Sequence, residues 1–511
     1  MPEAVSPSAA TPDTQIVRQL DSRSVQDLPA AVRVPEYDRS AVTPGIVHIG
    51  VGNFHRAHEA LVIDRLLAAG HATDWGILGV ALLPSDESLA RRMQRQDGLY
   101  TLVEKSADGS SLYRVIGSIL DVLFAPDGIE AVLAAMTDPR IRIVTLTVTE
   151  GGYNVDRLTG EFMPDTPAVA ADLVDDAVPS SVFGVVMEAL RRRRAGGVAP
   201  FTVLSCDNIQ HNGDVARRMF TAFAELKDPE FAEWMRAQVS FPNSMVDRIT
   251  PVTASADVDA VSEVLGVRDE CPVVCEPFFQ WVVEDAFPSG RPGWERADVQ
   301  VTDDVTPYEK MKLRLLNASH QGLCYFSHLA GYEYVHEALT WPQLRTFLRR
   351  FMDEEQTPTL DPVPGVDLDA YKSQLIDRFS NPQVRDTVAR LCAESSDRIP
   401  KWLLPAVRDR LARGGDVRMS AAIVASWARY AEAVDERGEE IVVVDPLAEE
   451  LVPLAQTQRV EPTAFIGNSR LFGDLADDPR FREPYLAALS RLHGYGSRAT
   501  VAWLVDEGSE G

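Results

Sequence analysis

Over its first 200 or so residues the chain alternates β-branched runs with amphipathic helical stretches, and after about Pro307 the alternation stops. This change of pattern restricts the fold more than any other feature. "GIVHIG" (45–50) reads as a buried strand, "HRAHEALVIDRLLAAG" (55–70) as an amphipathic helix, and "WGILGVAL" (75–82) as the next strand. "RIRIVTLTVT" (140–149) and "FTVLSC" (201–206) are further strand-like runs bounded by turn residues. Strands separated by helices build a parallel sheet with crossover connections. Beyond Pro307, "YEKMKLRLLNASHQGLCYFSHLAG", "LTWPQLRTFLRRFMDEE" and "MSAAIVASWARYAEAV" carry helical periodicity instead. The expected architecture is α/β over residues 1–300, with the first 20 disordered, followed by a mostly α-helical domain over 301–511 whose terminal "DEGSEG" is frayed.

Composition narrows the partners. A chain of 511 residues suits two or three domains, and 45% hydrophobic residues suffice for buried cores. Fifty basic against 76 acidic side chains leave a formal charge of -26, which repels phosphate backbones and anionic membrane surfaces. Neither nucleic acid nor membrane is expected as a partner. The first residues, "MPEAVSPSAATPD", lack the features of a signal peptide, and no run approaches a membrane span of about 18 apolar residues. A soluble, cytoplasmic protein is expected. The five cysteines agree with a reducing compartment. Cys271 and Cys275 form one C-x3-C pair with no histidine close by in sequence, so they read as buried thiols rather than zinc ligands.

Two stretches carry chemistry. In "HIGVGNFHRAH", Gly50 and Gly52 follow a strand and precede a helix, where backbone can turn tightly and approach a pyrophosphate. The third glycine of the dinucleotide fingerprint is replaced by His55, so a plain tight turn competes with this reading. His55 and His58, three apart, read as a helix surface rather than as ligands. "KMKLRLLNASH" (310–320) packs two lysines, an arginine, an asparagine and a histidine among leucines. It is either a solvated helix face or a catalytic base with its helpers.

A set of motifs weighs on that choice. "IVHIGVGNFHRAH", "TVTEGGY" (147–153), "LSCDNIQHNG" (204–213), "SMVDRITP" (244–251), "EPFFQWVVED" (276–285) and "KMKLRLLNASH" resemble, in this order, the motifs of the polyol-specific long-chain dehydrogenases and reductases. The resemblance covers nearly the whole chain. It implies a Rossmann-like domain that binds NAD, in which the family pattern G-x-G-x-F-x-R-A-H falls on Gly50, Gly52, Phe54, Arg56 and His58, with Asn53, His55 and Glu150 in the same cofactor-binding motifs. The acidic residue that holds the adenosine ribose falls on Asp86; capping of the following helix by Ser85 or Asp86 is an equally good reading. The family's catalytic lysine, five before an asparagine and eight before a histidine, selects Lys312, Asn317 and His320. At about 100° per residue Asn317 lies about 140° and His320 about 80° around from Lys312, on one broad face, although Lys310 is closer to Asn317 in projection.

Such a set suits alcohol oxidation. A hydride leaves the carbinol carbon only as its hydroxyl proton is removed, so a base must lie within hydrogen-bond reach. A lysine with its ordinary pKa of about 10.4 is protonated at neutral pH; burial and the positive nicotinamide ring both disfavour the ammonium. Two amides, assigned by the resemblance to Asn317 and Asn208, would stabilise the alkoxide-like oxygen without a metal. His320 is expected to orient a substrate hydroxyl. Asp247 is expected at the substrate or just behind it, with a loop ion pair to Arg248 as the alternative. Arg390 and Arg398 match two cations, eight apart, that meet sugar hydroxyls in the family. Many members carry lysine at the second place and glycine before the serine pair, where this chain has Arg398 and Glu394. Glu309 is either a proton carrier or a helix-surface acid. The resemblance implies a monomer or weak homo-oligomer that interconverts a polyol and its ketose, mannitol and fructose foremost, with arabinitol, sorbitol or a sugar acid such as mannonate as alternatives. A nucleotide-binding sensor without turnover and a zinc alcohol dehydrogenase are the rival classes.

Overall fold

The structure, a computed structural model, describes residues 18–156 and 159–506. The disorder expected at the N-terminus and in "DEGSEG" therefore falls, except for residues 18–20 and Asp506, outside the described residues.

Five strands form the central sheet: β1 (Pro44–Ile49), β2 (Gly76–Ala81), β3 (Ile119–Phe124), β4 (Ile143–Leu146) and β5 (Thr202–Ser205), in the order β3-β2-β1-β4-β5 and all parallel. Each strand is an apolar run because both faces are covered. Ile46, Ile77, Ile143 and Leu204 pack into one hydrophobic cluster, whereas Val47, Val80, Val144 and Val203 pack into another. The order reverses between β1 and β4, so a crevice opens there at the carboxyl ends of the strands.

Two smaller sheets were not visible in the sequence patterns. One is mixed and joins Val32–Arg33, Ser111–Ile116, Tyr100–Lys105 and Val273–Cys275. In the other, β6 (Ser244–Asp247) runs antiparallel to Gln280–Glu284, which pairs in parallel with Gln300–Thr302. β6 carries the first half of the chain towards the helical half.

The helix expected over 55–70 is in fact two, α1 (Asn53–Ala57) and α2 (Glu59–Ala68), broken at His58 with φ -122 and ψ -93. His58 is fully buried, with its ring 4.7 Å from that of Phe54, 4.7 Å from Phe279 and 5.2 Å from Trp281. His55 is buried as well, so neither histidine occupies the helix surface expected of it. α3 (Glu87–Arg95) follows β2.

The second half is helical as expected. α4 (Thr306–Met311), a π-helical segment (Lys312–Asn317) and α5 (Ala318–Leu329) form one continuous rod. Around it stand α6 (Leu368–Phe379), α7 (Val388–Cys392), α8 (Ser395–Trp402) and α9 (Arg418–Tyr430). α9 is buried from Met419 to Tyr430, as a helix apolar on nearly every face must be. Met245 and Val282, from the first half, belong to the same apolar cluster as Leu315, Phe326 and Trp427, which welds the two halves together. Among the described residues no helix is long and apolar enough to cross a membrane.

Candidate active site

The loops after β1 and β4 meet at the switch point. Gly50 has φ +101, and a Cβ there would overlap the Thr147 carbonyl, so only glycine lets the two loops come this close. At Gly52 the nearest atom to such a Cβ is 3.9 Å away, which leaves bare backbone facing a cavity of about 410 Å³. Leu83, Asp86 and Thr149 line the same cavity. Asp86 accepts the Leu83 N–H at 3.0 Å and makes no cap bond to α3. Its carboxylate closes the preceding turn and faces the cavity, and the expected capping of α3 is absent.

His55 and Arg56 line neither this cavity nor the cleft beside it; they lie behind the loop. Arg56 donates to the Cys271 carbonyl at 2.5 Å and to Asn53 Oδ1 at 2.6 Å, which fixes the loop from below. His55 stacks on His48 with ring centroids 3.4 Å apart, and the Nδ1 of each lies 3.2 to 3.3 Å from Glu59 Oε2. These three could be taken for metal ligands by proximity. However, both nitrogens of His48 are already engaged, Nδ1 with Thr145 Oγ1 at 2.7 Å and Nε2 with the Gly50 carbonyl at 3.0 Å.

The cleft between the halves, about 760 Å³, adjoins the first cavity. Asn53, Phe54 and Glu150 line it from the glycine-loop side, Asn208 from the end of β5, and Lys312, Asn317 and His320 from the helical rod. Lys312 is buried, and its Nζ donates to Asn208 Oδ1 and to the Val246 carbonyl, both at 2.6 Å. The Asn208 oxygen is thereby engaged, which leaves its NH2 as the donor. Lys310 points outward and pairs with Asp361 at 2.8 Å. The convergence of Lys312 and Asn317 does not follow from the α-helical projection used above. The segment is π-helical, with Ala318 N–H bonded to the Leu313 carbonyl, and this i→i+5 winding brings residues five apart to nearly one turn.

Burial is the largest influence on the Lys312 amine and lowers its pKa; Asp247 and Glu309 act against it, and Arg378 acts with it. Burial also pushes His320 down to about 3. Its ring stands 4.8 Å from that of Phe379, so it is held as a neutral imidazole. Glu309 is no surface acid. It is buried, its Oε1 accepts the His211 N–H at 2.9 Å, and burial raises its pKa to about 7. It lines a further cavity of about 620 Å³ that continues from the cleft past Lys312.

Asp247 does not pair with Arg248, the partner that sequence proximity suggested. Arg248 turns away to Glu104 and the Glu276 carbonyl, while Asp247 is held by Arg378 through two bonds of 2.8 and 3.0 Å. Arg390 lines the cleft while paired with Asp386. Arg398 lines it too, bonded to the Arg390 and Leu391 carbonyls at 3.1 Å. Glu394 has φ +56, the left-handed region that glycine enters without cost. Thr149 and Arg385 share this backbone state on the cleft wall. Sequence reasoning missed Arg378, Glu276, Tyr153 and Asp207. Asp207 binds the Val148 and Thr149 N–H groups and the Tyr153 hydroxyl, so it ties the "TVTEGGY" and "LSCDNIQHNG" loops together. Both motifs were recognised, but nothing in either indicates that one binds the other.

The fold and cleft define a class: a parallel dinucleotide-type sheet whose crevice is completed by a lysine-bearing helical half. The chain belongs to the mannitol dehydrogenase family, matching "Mannitol dehydrogenase Rossmann domain" over residues 44–296 and "Mannitol dehydrogenase C-terminal domain" over 304–493. It is 44% identical to the mannitol 2-dehydrogenase of Phaeosphaeria nodorum over 489 residues, 95% of this chain and 85% of that one. It is also 44% identical to that of Aspergillus fumigatus over 494 residues, 94% and 98% of the two chains. The mannitol 2-dehydrogenase of Pseudomonas fluorescens, solved as a ternary complex with NAD and D-mannitol, superposes with a TM-score of 0.84 at 42% identity, covering 96% of this chain and 99% of that one. A D-sorbitol dehydrogenase in substrate-free form gives 0.89 at 38% identity, covering 94% and 100%.

Proposed function

We propose that this protein is an NAD-dependent, zinc-independent polyol dehydrogenase that interconverts D-mannitol and D-fructose, with Lys312 as its general acid and base. The observation that carries this reading is the buried Lys312 amine, held by Asn208 and the Val246 carbonyl where the cleft meets the third cavity. The open backbone at Gly52 and the carboxylate of Asp86 fit a dinucleotide, with Asp86 on the ribose hydroxyls and Asn53, Phe54 and Glu150 towards the nicotinamide end. When bound, oxidised NAD supplies the hydride acceptor.

Lys312 takes the proton of the alcohol as the hydride departs, and returns it in ketose reduction. The NH2 groups of Asn208 and Asn317 stabilise the oxygen as it gains charge, so no Lewis acid is required. Burial pushes the Cys275 thiol up to about 12 and that of Cys271 higher still, as for inert core thiols rather than thiolate ligands. Neutral His320 orients a substrate hydroxyl, Asp247 stands beside it, and Arg390 and Arg398 hold the far hydroxyls. Glu309, with a pKa near neutrality, is placed to pass the proton from Lys312 to the third cavity. The free, buried cysteines fit a cytoplasmic enzyme, and the oligomeric state in this reading is a monomer or weak homo-oligomer.

The same chemistry on sorbitol is the second reading, supported by the close superposition on a D-sorbitol dehydrogenase. Monitoring NAD and NADP reduction against mannitol, sorbitol, arabinitol and mannonate tests both. Mannitol with NAD is expected to give the highest kcat/KM; no turnover with any polyol would defeat the proposal.

A further inference from the structure

Arg378, near the end of α6, is buried between two carboxylates from the other half of the chain. Its Nη1 and Nη2 donate to Asp247 at 2.8 and 3.0 Å, and its Nε and Nη2 donate to Glu276 at 3.0 and 2.8 Å. The Phe278 ring lies 3.8 Å below the guanidinium carbon. Glu276 is anchored in turn by the Ile249 N–H at 2.6 Å. Asp247 ends β6, one residue after the Val246 carbonyl that holds Lys312. The ion cluster and the buried amine are therefore fixed to the same strand.

Deep burial of two acids and one base needs a reason, because desolvating an ion pair commonly costs as much as the pairing returns. The charges around Lys312 supply one. Asp247 faces it from β6, Glu309 from the preceding turn of its own helix, and Arg378 from α6, while Asp386 and Arg390 line the same cleft and act on His320. An unpaired Asp247 would favour the ammonium, the form that cannot accept a proton from an alcohol. Two hydrogen bonds from Arg378 occupy both of its oxygens.

We propose that Arg378 is a positioning residue for the oxidation: by clamping Asp247 and Glu276 together across the two halves, it offsets the carboxylate that faces Lys312 and so sets the pH at which that amine becomes a base. This rests on Lys312 being the general base, and it adds the element that tunes it. The burial that disfavours the ammonium, together with Arg378, then outweighs Asp247 and Glu309.

The test is the pH profile of kcat/KM for mannitol oxidation by the full-length protein with NAD. Arg378→Gln is expected to move the acid limb to higher pH by about one unit or more, a loss of about tenfold at pH values below the limb. Arg378→Lys, which keeps the charge, is expected to return the limb close to the wild-type position. Glu276→Gln leaves the guanidinium shared with Asp247 alone and is expected to move the limb to lower pH. A purely structural arginine predicts the opposite pattern: uniform loss of activity with an unmoved limb, and that result would overturn the inference. If Arg378→Gln does not fold, Glu276→Gln decides, since an unmoved or raised limb in that variant is equally fatal. Lys312→Ala separates this from the reading it rests on. A limb that survives in Lys312→Ala defeats the base assignment itself, whereas a limb lost there but unmoved by the Arg378 and Glu276 variants defeats only the role of Arg378.

Discussion

Two residues along one helical rod separate the lysine that faces the cleft from the one that faces water. Lys312 donates to Asn208 and Val246, whereas Lys310 pairs with the exposed Asp361. A general base contributes about 10²- to 10⁴-fold. Lys312→Ala is therefore expected to lower mannitol oxidation by at least about 100-fold while NADH binding, followed by fluorescence titration, stays near wild type. Lys310→Ala is expected to keep nearly full activity. In the wild type, oxidation should rise with pH as the ammonium is lost, over a range below the ordinary lysine value because burial lowers it, and fructose reduction should fall over the same range. Asp86 governs the cofactor at this scale. A 2′-phosphate next to its carboxylate would be repelled by about 1 to 4 kcal/mol per pair of unit charges at about 4 Å. NAD is thus expected to be preferred about tenfold or more, and Asp86→Ala should narrow that ratio in kcat/KM by weakening NAD and admitting NADP.

At the scale of elements, the two π-helical segments among the described residues, Lys312–Asn317 and Phe351–Gln356, each re-aim a polar side chain into a buried place. The first turns Lys312 and Asn317 to the cleft. The second carries Glu355 to the start of α9, where it accepts the Met419 and Ser420 N–H groups at 2.6 and 2.8 Å. Burial raises the Glu355 carboxyl to about 7 from its ordinary 4.5, so the folded protein holds this proton more tightly than the unfolded chain does. Its contribution is therefore fully present below about pH 4.5 and is lost as pH rises through about 7. The range corresponds to about 3 kcal/mol. Comparing urea unfolding of wild type and Glu355→Gln at pH 5 and pH 8 is expected to show a smaller fall in stability for the variant. An equal fall in both would place the titration elsewhere.

For the whole molecule, the closing of one half on the other makes the cleft. Asn208 comes from the parallel sheet and Lys312 from the helical rod, with the Arg378 cluster and the Met245 and Val282 contacts keeping the halves in register. The chemistry proposed here uses an amine and two amides where other alcohol dehydrogenases use a metal. Prolonged treatment with a strong chelator, followed by removal of the chelator, is expected to leave mannitol oxidation unchanged. Loss of activity that zinc restores would return Cys271 and Cys275, or the His48, His55 and Glu59 group, to consideration as ligands.

Local pattern alone established the alternating half and the helical half: short continuous β-branched runs for strands that bury both faces of a sheet, and a 3.6-residue period for helices on a common core. Gly50 was legible too, since a positive φ at the end of a strand narrows the choice to glycine. Motif order, read through the resemblance to a family, singled out Lys312, Asn208, Asn317 and His320, and the structure places all four around one cleft. What no local pattern could contain was pairing across the chain. Asp247 read equally well as a substrate contact or as the partner of its neighbour Arg248, and only the tertiary structure paired it with Arg378, 131 residues away. His55 and His58 read as surface residues because a two-histidine spacing says nothing of what covers it; Phe54, Phe279 and Trp281 enclose His58 and make it core. The π-helical turn was hidden for a similar reason. A sequence that favours helix does not specify how it is wound, and here the contacts that hold Lys312 against Asn208 and Val246 accompany the wider turn that faces Asn317 the same way.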